Sequence, residues 1–318
     1  MRRAWATVAL IATLMTPPAA AQMRASDLKA QLRQLSDWWP GRYDNHEQIV
    51  RQSGGGLSVL TDKPFFRLHT TVERVTGSPL GDMVFAVKTY RGPDQNMPVG
   101  TELRAVAIDE AAQALRVRRF TVAASGPSVP LSAGCDLLLR YVGGQFEGNV
   151  ASRGCAVPGG FADDEVVVGP IYQWVRGRTL SRSGRVVAEL APGSDFGWFQ
   201  QTRARNFACT VHGTATGDMR KTEYLRTIRL HDQGGEADIP WPDGRTLTFT
   251  IHTRAFAVPA SRENPLFRVH EKGNPVPIAY AYAVDGTKRF GLNLGWFYIR
   301  CYAEGDESEG EPGLTPAR

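Results

Sequence analysis

The four cysteines of this 318-residue chain are the residues whose chemistry is easiest to assign. An even number of cysteines suggests two disulfides, and four cysteines permit three pairings. Proximity favours a bond between Cys135 and Cys155, which leaves Cys209 to pair with Cys301. The alternatives are a reactive thiol or a metal site, but the chain has no CxxC motif and its six histidines show no ligand spacing. We therefore predict two structural disulfides and no metal site.

The signatures of common catalytic sites are missing from the sequence. It contains no GxSxG elbow, no HExxH, no Walker loop and no GxGxxG motif. Gly54-Gly55-Gly56 lacks the lysine and the helix of a phosphate-binding loop, so it predicts a flexible connection. The motifs therefore assign no catalytic residue.

Three short clusters are more distinctive. The first spans residues 38–48, where a helix is expected to end and a strand to begin. The second opens at residues 135–136 with Cys-Asp and closes at residues 154–155 with Gly-Cys. The third combines Trp-Val-Arg-Gly-Arg at residues 174–178 with a Gly- and Phe-rich segment at residues 193–199.

In these clusters the chain resembles the CpcT/CpeT family of chromophore lyases, over roughly residues 28–203. The family's second element is similar to the segment that opens with Cys-Asp and closes with Gly-Cys. Its third element is similar to the later Arg-Gly turn. The family's opening pattern W-x-G-x-[FY]-x-N-x-x-Q is matched by Trp39, Gly41, Tyr43, Asn45 and Gln48.

The resemblance implies a lipocalin-like barrel that holds an open-chain tetrapyrrole (a bilin) and helps to attach it to a cysteine of an acceptor protein. A bilin stacks its conjugated face on Trp or Tyr, and its propionates bind arginine forks. Thiol addition needs a proton donor such as Asp or Glu, but the attacking sulfur belongs to the acceptor. No other cofactor is predicted. The ligand-binding residues expected on this basis are Trp39, Tyr43, Asn45, Gln48, Arg104, Trp174 and Arg176.

Two other functions stay open at this point: a non-catalytic periplasmic carrier of a small hydrophobic ligand, and a structural envelope protein. A lyase predicts an acid and arginines converging in an open cavity, a carrier predicts a mostly apolar cavity, and a structural protein predicts a packed interior. In the alternative interpretation of single residues, the aromatic side chains belong to the core. Asn45 and Gln48 would then satisfy backbone groups.

The elements that must position these residues are mostly strands. Residues 26–39 predict the one clear helix, because Ser26 is a good N-cap and leucines recur at helical spacing. Period-two alternation or turn signals predict strands at residues 115–122, 136–142, 145–150, 184–190 and 246–252.

Two dipeptides predict hairpins. Gly143-Gly144 separates two of the predicted strands, and Asp285-Gly286 lies between residues 279–284 and 289–294. Many short strands without alternating helices favour an antiparallel barrel or sandwich and argue against a nucleotide-binding α/β fold. We predict an all-β fold: a lipocalin-like barrel with a short N-terminal helix, followed by a smaller β-rich region.

The N-terminus has the three parts of a secretory signal: Arg2 and Arg3, an apolar run at residues 4–15, and Ala19-Ala20-Ala21. The alternative is a buried N-terminal helix. The apolar run is too short to span a hydrocarbon core of roughly 30 Å. We predict a periplasmic or secreted protein that is not embedded in a membrane.

The formal charge of +5 comes from scattered basic residues, which is poor evidence for nucleic-acid binding. The expected organisation is a signal peptide at residues 1–21, a barrel domain at 22–205, a β-rich region at 206–303 and a disordered acidic tail at 304–318.

Overall fold

The computed structural model describes residues 25–52, 67–91, 98, 100–122, 129–131, 134–151, 154–191, 197–214, 218, 224–255, 263–274, 276–282 and 288–305. The predicted signal peptide, the Gly54-Gly55-Gly56 segment and residues 306–318 of the predicted tail lie outside these ranges.

In the first part of the chain, the described residues form two helices and thirteen strands. The helices are α1 (Ala25–Trp38) and α2 (His46–Gln52). The strands are β1 (Gly41–Asp44), β2 (Leu68–Val75), β3 (Val84–Arg91), β4 (Gly100–Asp109), β5 (Ala114–Thr121), β6 (Val129–Pro130), β7 (Leu137–Val142), β8 (Gln145–Val150), β9 (Ala156–Val157), β10 (Gly160–Val168), β11 (Tyr172–Leu180), β12 (Val186–Glu189) and β13 (Phe199–Arg203).

Ten of these strands form a closed antiparallel barrel in the order β1-β2-β3-β4-β5-β7-β8-β10-β11-β13, and β13 pairs with β1 to complete it. The short strands β6, β9 and β12 pair with β5, β10 and β11. Closure leaves no free edge along the ten-strand ring. The predicted all-β, lipocalin-like barrel with an N-terminal helix is confirmed.

Helix α1 packs an apolar face against one half of the barrel interior. Leu28 and Leu35 are fully buried, and Leu35 belongs to the same core as Phe85, Leu115 and Phe146. The helix ends one residue earlier than predicted, but the amide of Trp39 still donates to the Leu35 carbonyl at 2.9 Å. The helix thus fills this half of the barrel with hydrocarbon.

The Gly143-Gly144 hairpin is present as predicted. Both glycines adopt positive φ, 59° and 89°, and Val142 pairs with Gln145 across the turn. Only a turn with left-handed residues matches the twist of two directly connected strands, so glycine is favoured at both positions. This turn fixes the register of β7 and β8.

The later strands form a sandwich of two four-stranded sheets. They are β14 (Asn206–Gly213), β15 (Tyr224–His231), β16 (Gln233–Pro240), β17 (Thr246–Ala255), β18 (Glu263–Glu271), β19 (Ala279–Tyr282), β20 (Arg289–Asn293) and β21 (Phe297–Ala303). One sheet has the order β15-β14-β21-β20 and the other β16-β17-β18-β19. A single apolar core joins Phe207 and Phe297 of the first sheet to Phe249 and Phe267 of the second.

The predicted Asp285-Gly286 hairpin is wrong. Strand β19 pairs with β18, whereas β20 pairs with β21, so the two strands belong to different sheets. Phe290 on β20 packs against Phe207 at a ring distance of 5.3 Å, and this burial places β20 in the first sheet. The Asp-Gly pair itself lies outside the described residues.

Both predicted disulfides are present. Cys135 bonds to Cys155, and Cys209 bonds to Cys301 across directly paired positions of β14 and β21. All four sulfurs belong to buried residues, which agrees with a structural role. Within the described part of the chain, no helix combines the length and apolar composition needed to cross a bilayer.

Candidate ligand-binding site

The half of the barrel that α1 does not fill contains a cavity of about 550 Å³. Strand β4 shows the division: Glu102 and Arg104 line the cavity, whereas Val106 and Ile108 belong to the apolar core beside α1. Alternation along one strand puts all four side chains on its inner face. The barrel interior is therefore apolar at one end and charged at the other.

Four of the charged side chains that line the cavity form one connected group. Arg119 donates to Glu102 Oε1 at 2.7 Å through Nη2 and to Asp164 Oδ2 at 2.6 Å through Nη1. Arg104 Nε donates to Glu102 Oε2 at 3.1 Å. Two arginines thus balance two carboxylates, and the group is formally neutral.

The protonation states of this group follow from its geometry. Burial raises the pKa of Glu102, but the positive charges of Arg104 and Arg119 outweigh it and bring the pKa from 4.5 to about 2. Burial also lowers the pKa of Arg104, although Glu102 opposes that shift. Glu102 is therefore ionised at every physiological pH, and it is a poor proton donor.

Arg104 is the member of the group with capacity left for a ligand. Its side chain is 12% exposed, and its Nη1 and Nη2 groups make no hydrogen bond to the described residues. Its guanidinium lies over the ring of Trp39, 5.6 Å from the centroid. A planar guanidinium with two free amino groups in a cavity suits a carboxylate.

A chain of amide groups holds the wall of the cavity near Trp39. The indole Nε1 of Trp39 donates to Gln173 Oε1 at 2.7 Å, and Gln173 Nε2 donates to Gln201 Oε1 at 3.3 Å. Gln201 Nε2 in turn donates to Thr70 Oγ1 at 3.0 Å. Trp39 is fully buried, so it supports Arg104 and the cavity wall from behind.

Tyr43 and Asn45 of the predicted site do not line the cavity. The hydroxyl of Tyr43 lies 2.9 Å from the Trp38 carbonyl and 3.0 Å from that of Trp39, and burial raises its pKa to about 12. The side-chain oxygen of Asn45 accepts from the Leu68 amide at 2.7 Å. Both residues satisfy groups at the junction of α1, β1 and β2.

Gln48 and Arg176 both contact Trp198. Gln48 Nε2 donates to the Trp198 carbonyl at 2.8 Å, and Gln48 Oε1 accepts from the Gln200 amide at 3.0 Å. Arg176 borders the cavity from the face of β11 that it shares with Trp174, pairs with Glu165 and lies over the Trp198 ring at 4.7 Å. Of the seven predicted ligand-binding residues, Arg104 lines the cavity from the inner face of the barrel and Arg176 borders it from outside that face.

Trp174 lies on the outer surface of the barrel. It is 37% exposed and contacts Tyr172 at a ring distance of 5.6 Å. Its neighbours Gln173 and Val175 line the cavity, and successive residues of a strand point to opposite faces. The prediction of Trp174 as a ligand platform ignored this alternation.

Sequence reasoning missed Glu102, Arg119 and Asp164. For Arg119 a signal existed, since Leu115 and Val117 precede it at a period of two and both belong to the core. When the next inward-facing position of such a strand is an arginine, the alternation indicates a charged interior. The carboxylate partners could not be chosen, because they come from strands whose pairing the sequence did not specify.

Comparison with known proteins gives likeness in structure only. No family model matches the chain, and no curated protein matches it. It is similar to the T-type phycobiliprotein lyase CpeT from Prochlorococcus phage P-HM1, at 11% identity and a TM-score of 0.35, covering 54% of this chain and 96% of that one. It is also similar to the CRL protein of Arabidopsis, at 13% identity and a TM-score of 0.40, covering 55% and 98%. At these identities the likeness concerns the fold alone.

Proposed function

We propose that the barrel binds a small elongated carboxylate with a conjugated body, and that open-chain tetrapyrroles are its ligand class. The observation that carries the proposal is Arg104, whose Nη1 and Nη2 groups make no hydrogen bond to the part of the chain that the structure describes and lie in a cavity of about 550 Å³. That volume falls within the roughly 300–1,000 Å³ of small-molecule sites. The sequence resemblance at Trp39 and its neighbours supports the same ligand class.

We propose a carrier rather than a lyase. Thioether attachment needs a proton donor beside the ligand, and Glu102 cannot serve because its pKa is about 2. Asp164, the other inward carboxylate of the charged group, is bound to Arg119. The acid and the arginines converge as a lyase requires, but Glu102 and Asp164, the two carboxylates of the charged group, are both already paired. Two disulfides are typical of an oxidising compartment, and we place the carrier in the periplasm or outside the cell.

The test is a titration of the purified protein with biliverdin, followed by visible absorption and fluorescence. We expect a saturable red shift. Arg104→Ala should weaken binding roughly 10- to 100-fold, because it removes a charge-assisted fork. Arg118→Ala is the matched control, since Arg118 is an exposed arginine on the same barrel, over Phe120. A flat titration of the wild type, or equal affinities of R104A and R118A, would overturn the proposal.

A second assay separates carrier from lyase. The loaded protein is incubated with a cysteine-containing phycobiliprotein subunit and run on a denaturing gel stained with zinc for bilin fluorescence. If the protein is a carrier, the subunit is labelled with bilin no faster than in a reaction that lacks the protein. Protein-dependent covalent labelling would show attachment chemistry, and Asp164→Asn would then identify the proton donor.

A further inference from the structure

The barrel and the sandwich have separate apolar cores that meet at a polar boundary. The barrel core includes Phe85 and Phe146, the sandwich core includes Phe249 and Phe297, and the two share no residue. Contacts between them come mainly from α2, which packs against β17 and the start of β16. Each unit can therefore keep its own core if this boundary opens.

Four of the six histidines of the chain gather at this boundary. His46 and His69 belong to the barrel, and His231 and His252 belong to the sandwich. We call these four residues the histidine joint. His46, His69 and His231 are buried. The joint thus concentrates groups that change charge near neutral pH in a place with little water.

The central contact of the joint is a hydrogen bond between two imidazoles. His46 Nε2 lies 2.7 Å from His252 Nδ1, and the two rings stack at 4.7 Å. The other nitrogen of His252 lies 3.1 Å from Thr250 Oγ1. The bond needs one donor and one acceptor nitrogen, so it is lost when both imidazoles are protonated, and two positive charges then lie together.

The turn between β15 and β16 fits closely against the barrel. Arg67 Nη2 donates to the Gly234 carbonyl at 3.0 Å, and Gln233 Nε2 donates to Glu47 Oε1 at 2.7 Å. Gly234 has a φ of +70°, and a Cβ there would lie 2.9 Å from His46 Nδ1. The contact therefore depends on glycine and leaves no room for the turn to adjust when His46 becomes charged.

The surroundings of the joint hold His46, His231 and His252 neutral. Burial, and then the charges of His252 and Arg67, place the pKa of His46 well below its ordinary value. Burial brings the pKa of His231 to about 4 and that of His252 to about 3. The other titratable or charged groups facing the joint are Arg42, Asp44, Glu47, Arg67, His69, Arg205, Asp232, Arg268 and His270.

We propose that the histidine joint is an acid-sensitive latch: protonation of His46, His231 and His252 releases the sandwich from the barrel while both units stay folded. Ligand binding in the barrel plays no part in this inference.

The direction of the effect follows from the pKa shifts. In the released state the exposed histidines return to a pKa of about 6.5, so release becomes about tenfold more favourable per histidine for each pH unit below that value. The gain ends where the closed-state pKa values are reached. Burial raises the pKa of Asp232, so protonation of this carboxyl favours the closed state and opposes release at the acidic end of the same range.

The experiment is small-angle X-ray scattering of the full oxidised chain between about pH 7.5 and about pH 5. We expect the radius of gyration and maximum dimension to increase in one transition, while near-ultraviolet circular dichroism is retained. The double variant His46→Gln/His252→Gln should shift the midpoint to lower pH. His212→Gln is the matched control, because His212 lies on the sandwich, in contact with Tyr298, away from the joint.

A reference variant keeps the test decisive if the double variant opens at neutral pH. Gly234→Ala should be extended at every pH, with the dimensions of the acidified wild type. The single variant His231→Gln should then open with a midpoint at lower pH than the wild type. Three results would overturn the latch: unchanged dimensions of the wild type at about pH 5, a midpoint unaffected by both sets of histidine substitutions, or loss of near-ultraviolet dichroism in the same transition.

Discussion

At the scale of single residues, the barrel interior is defined by how its charges are paired. Arg119 bridges Glu102 and Asp164, and this leaves Arg104 with one partner through Nε. Arg104 has donors left for an anion. Because Glu102 already compensates its charge, no unpaired charge is buried when no ligand is bound. The paired carboxylates thus make the site stable in the absence of ligand.

Glu102→Gln tests this pairing. The substitution leaves Arg104 and Arg119 without their shared carboxylate, so we expect a loss of about 2–3 kcal/mol in the free energy of unfolding. Urea denaturation at neutral pH measures it, with Glu147→Gln as the exposed control. An E102Q variant within about 0.5 kcal/mol of the wild type would show that the pair contributes little.

The same residue predicts a pH dependence. The pKa of Glu102 is lowered from 4.5 to about 2, so its stabilising contribution is complete above about pH 4.5 and is lost as the pH falls toward 2. Repeating the urea series between those values should show a steeper loss of stability in the wild type than in E102Q. Parallel curves would contradict the assignment.

Residue-level expectations from the sequence came mainly from the family resemblance. Arg104 was named on that basis as a ligand-binding residue; it lines the cavity, and its role in binding stays a prediction. The contact between His46 and His252 joins residues 206 positions apart, and no periodicity marks either histidine as a partner of the other. Such pairs become visible only when the relative position of the barrel and the sandwich is known.

At the scale of elements, turn chemistry predicted local structure well and sheet membership badly. Gly143-Gly144 connects two strands that pair with each other, and its prediction is confirmed. Asp285-Gly286 gave a signal of similar strength, but β19 and β20 pair elsewhere. A turn signal describes the backbone of a few residues, whereas the choice of sheet depends on which apolar side chains become buried.

Gly144→Ala tests the turn. At a φ of 89° a side chain strains the backbone, so we expect a loss of roughly 1–2 kcal/mol in stability. Gly100→Ala is the control, because its Cβ would meet open space and its φ lies outside the strained range. Equal thermal midpoints for the two variants would contradict the role of the turn.

At the scale of the whole molecule, two cores, two disulfides and one polar boundary define the architecture. The sequence predicted a barrel followed by a second β-rich region, because strand-length segments and turn residues continue to the end of the described chain. It did not predict that the second region is a two-sheet sandwich with histidines at its contact with the barrel. Polar residues that satisfy one another across a boundary look, in a sequence, like ordinary surface residues.

The two disulfides should differ in their contribution to stability. Cys209–Cys301 closes a segment of 92 residues and Cys135–Cys155 one of 20, so the chain-entropy account gives the first roughly 4–5 kcal/mol and the second roughly 3. Paired Cys→Ser variants, C209S/C301S and C135S/C155S, compared by chemical denaturation without reductant, measure both. Four free thiols in the purified oxidised protein would remove the basis of this prediction.

The pairing of the cysteines also bears on the order in which the two disulfides can form. A chain that emerges N-terminus first presents Cys135 and Cys155 before any other thiol exists, so their bond can form without a competitor. Cys209 then waits 92 residues for Cys301, which arrives on the last strand of the sandwich. Because first joins second and third joins fourth, the order in which the thiols emerge matches the native pairing among the three possible ones.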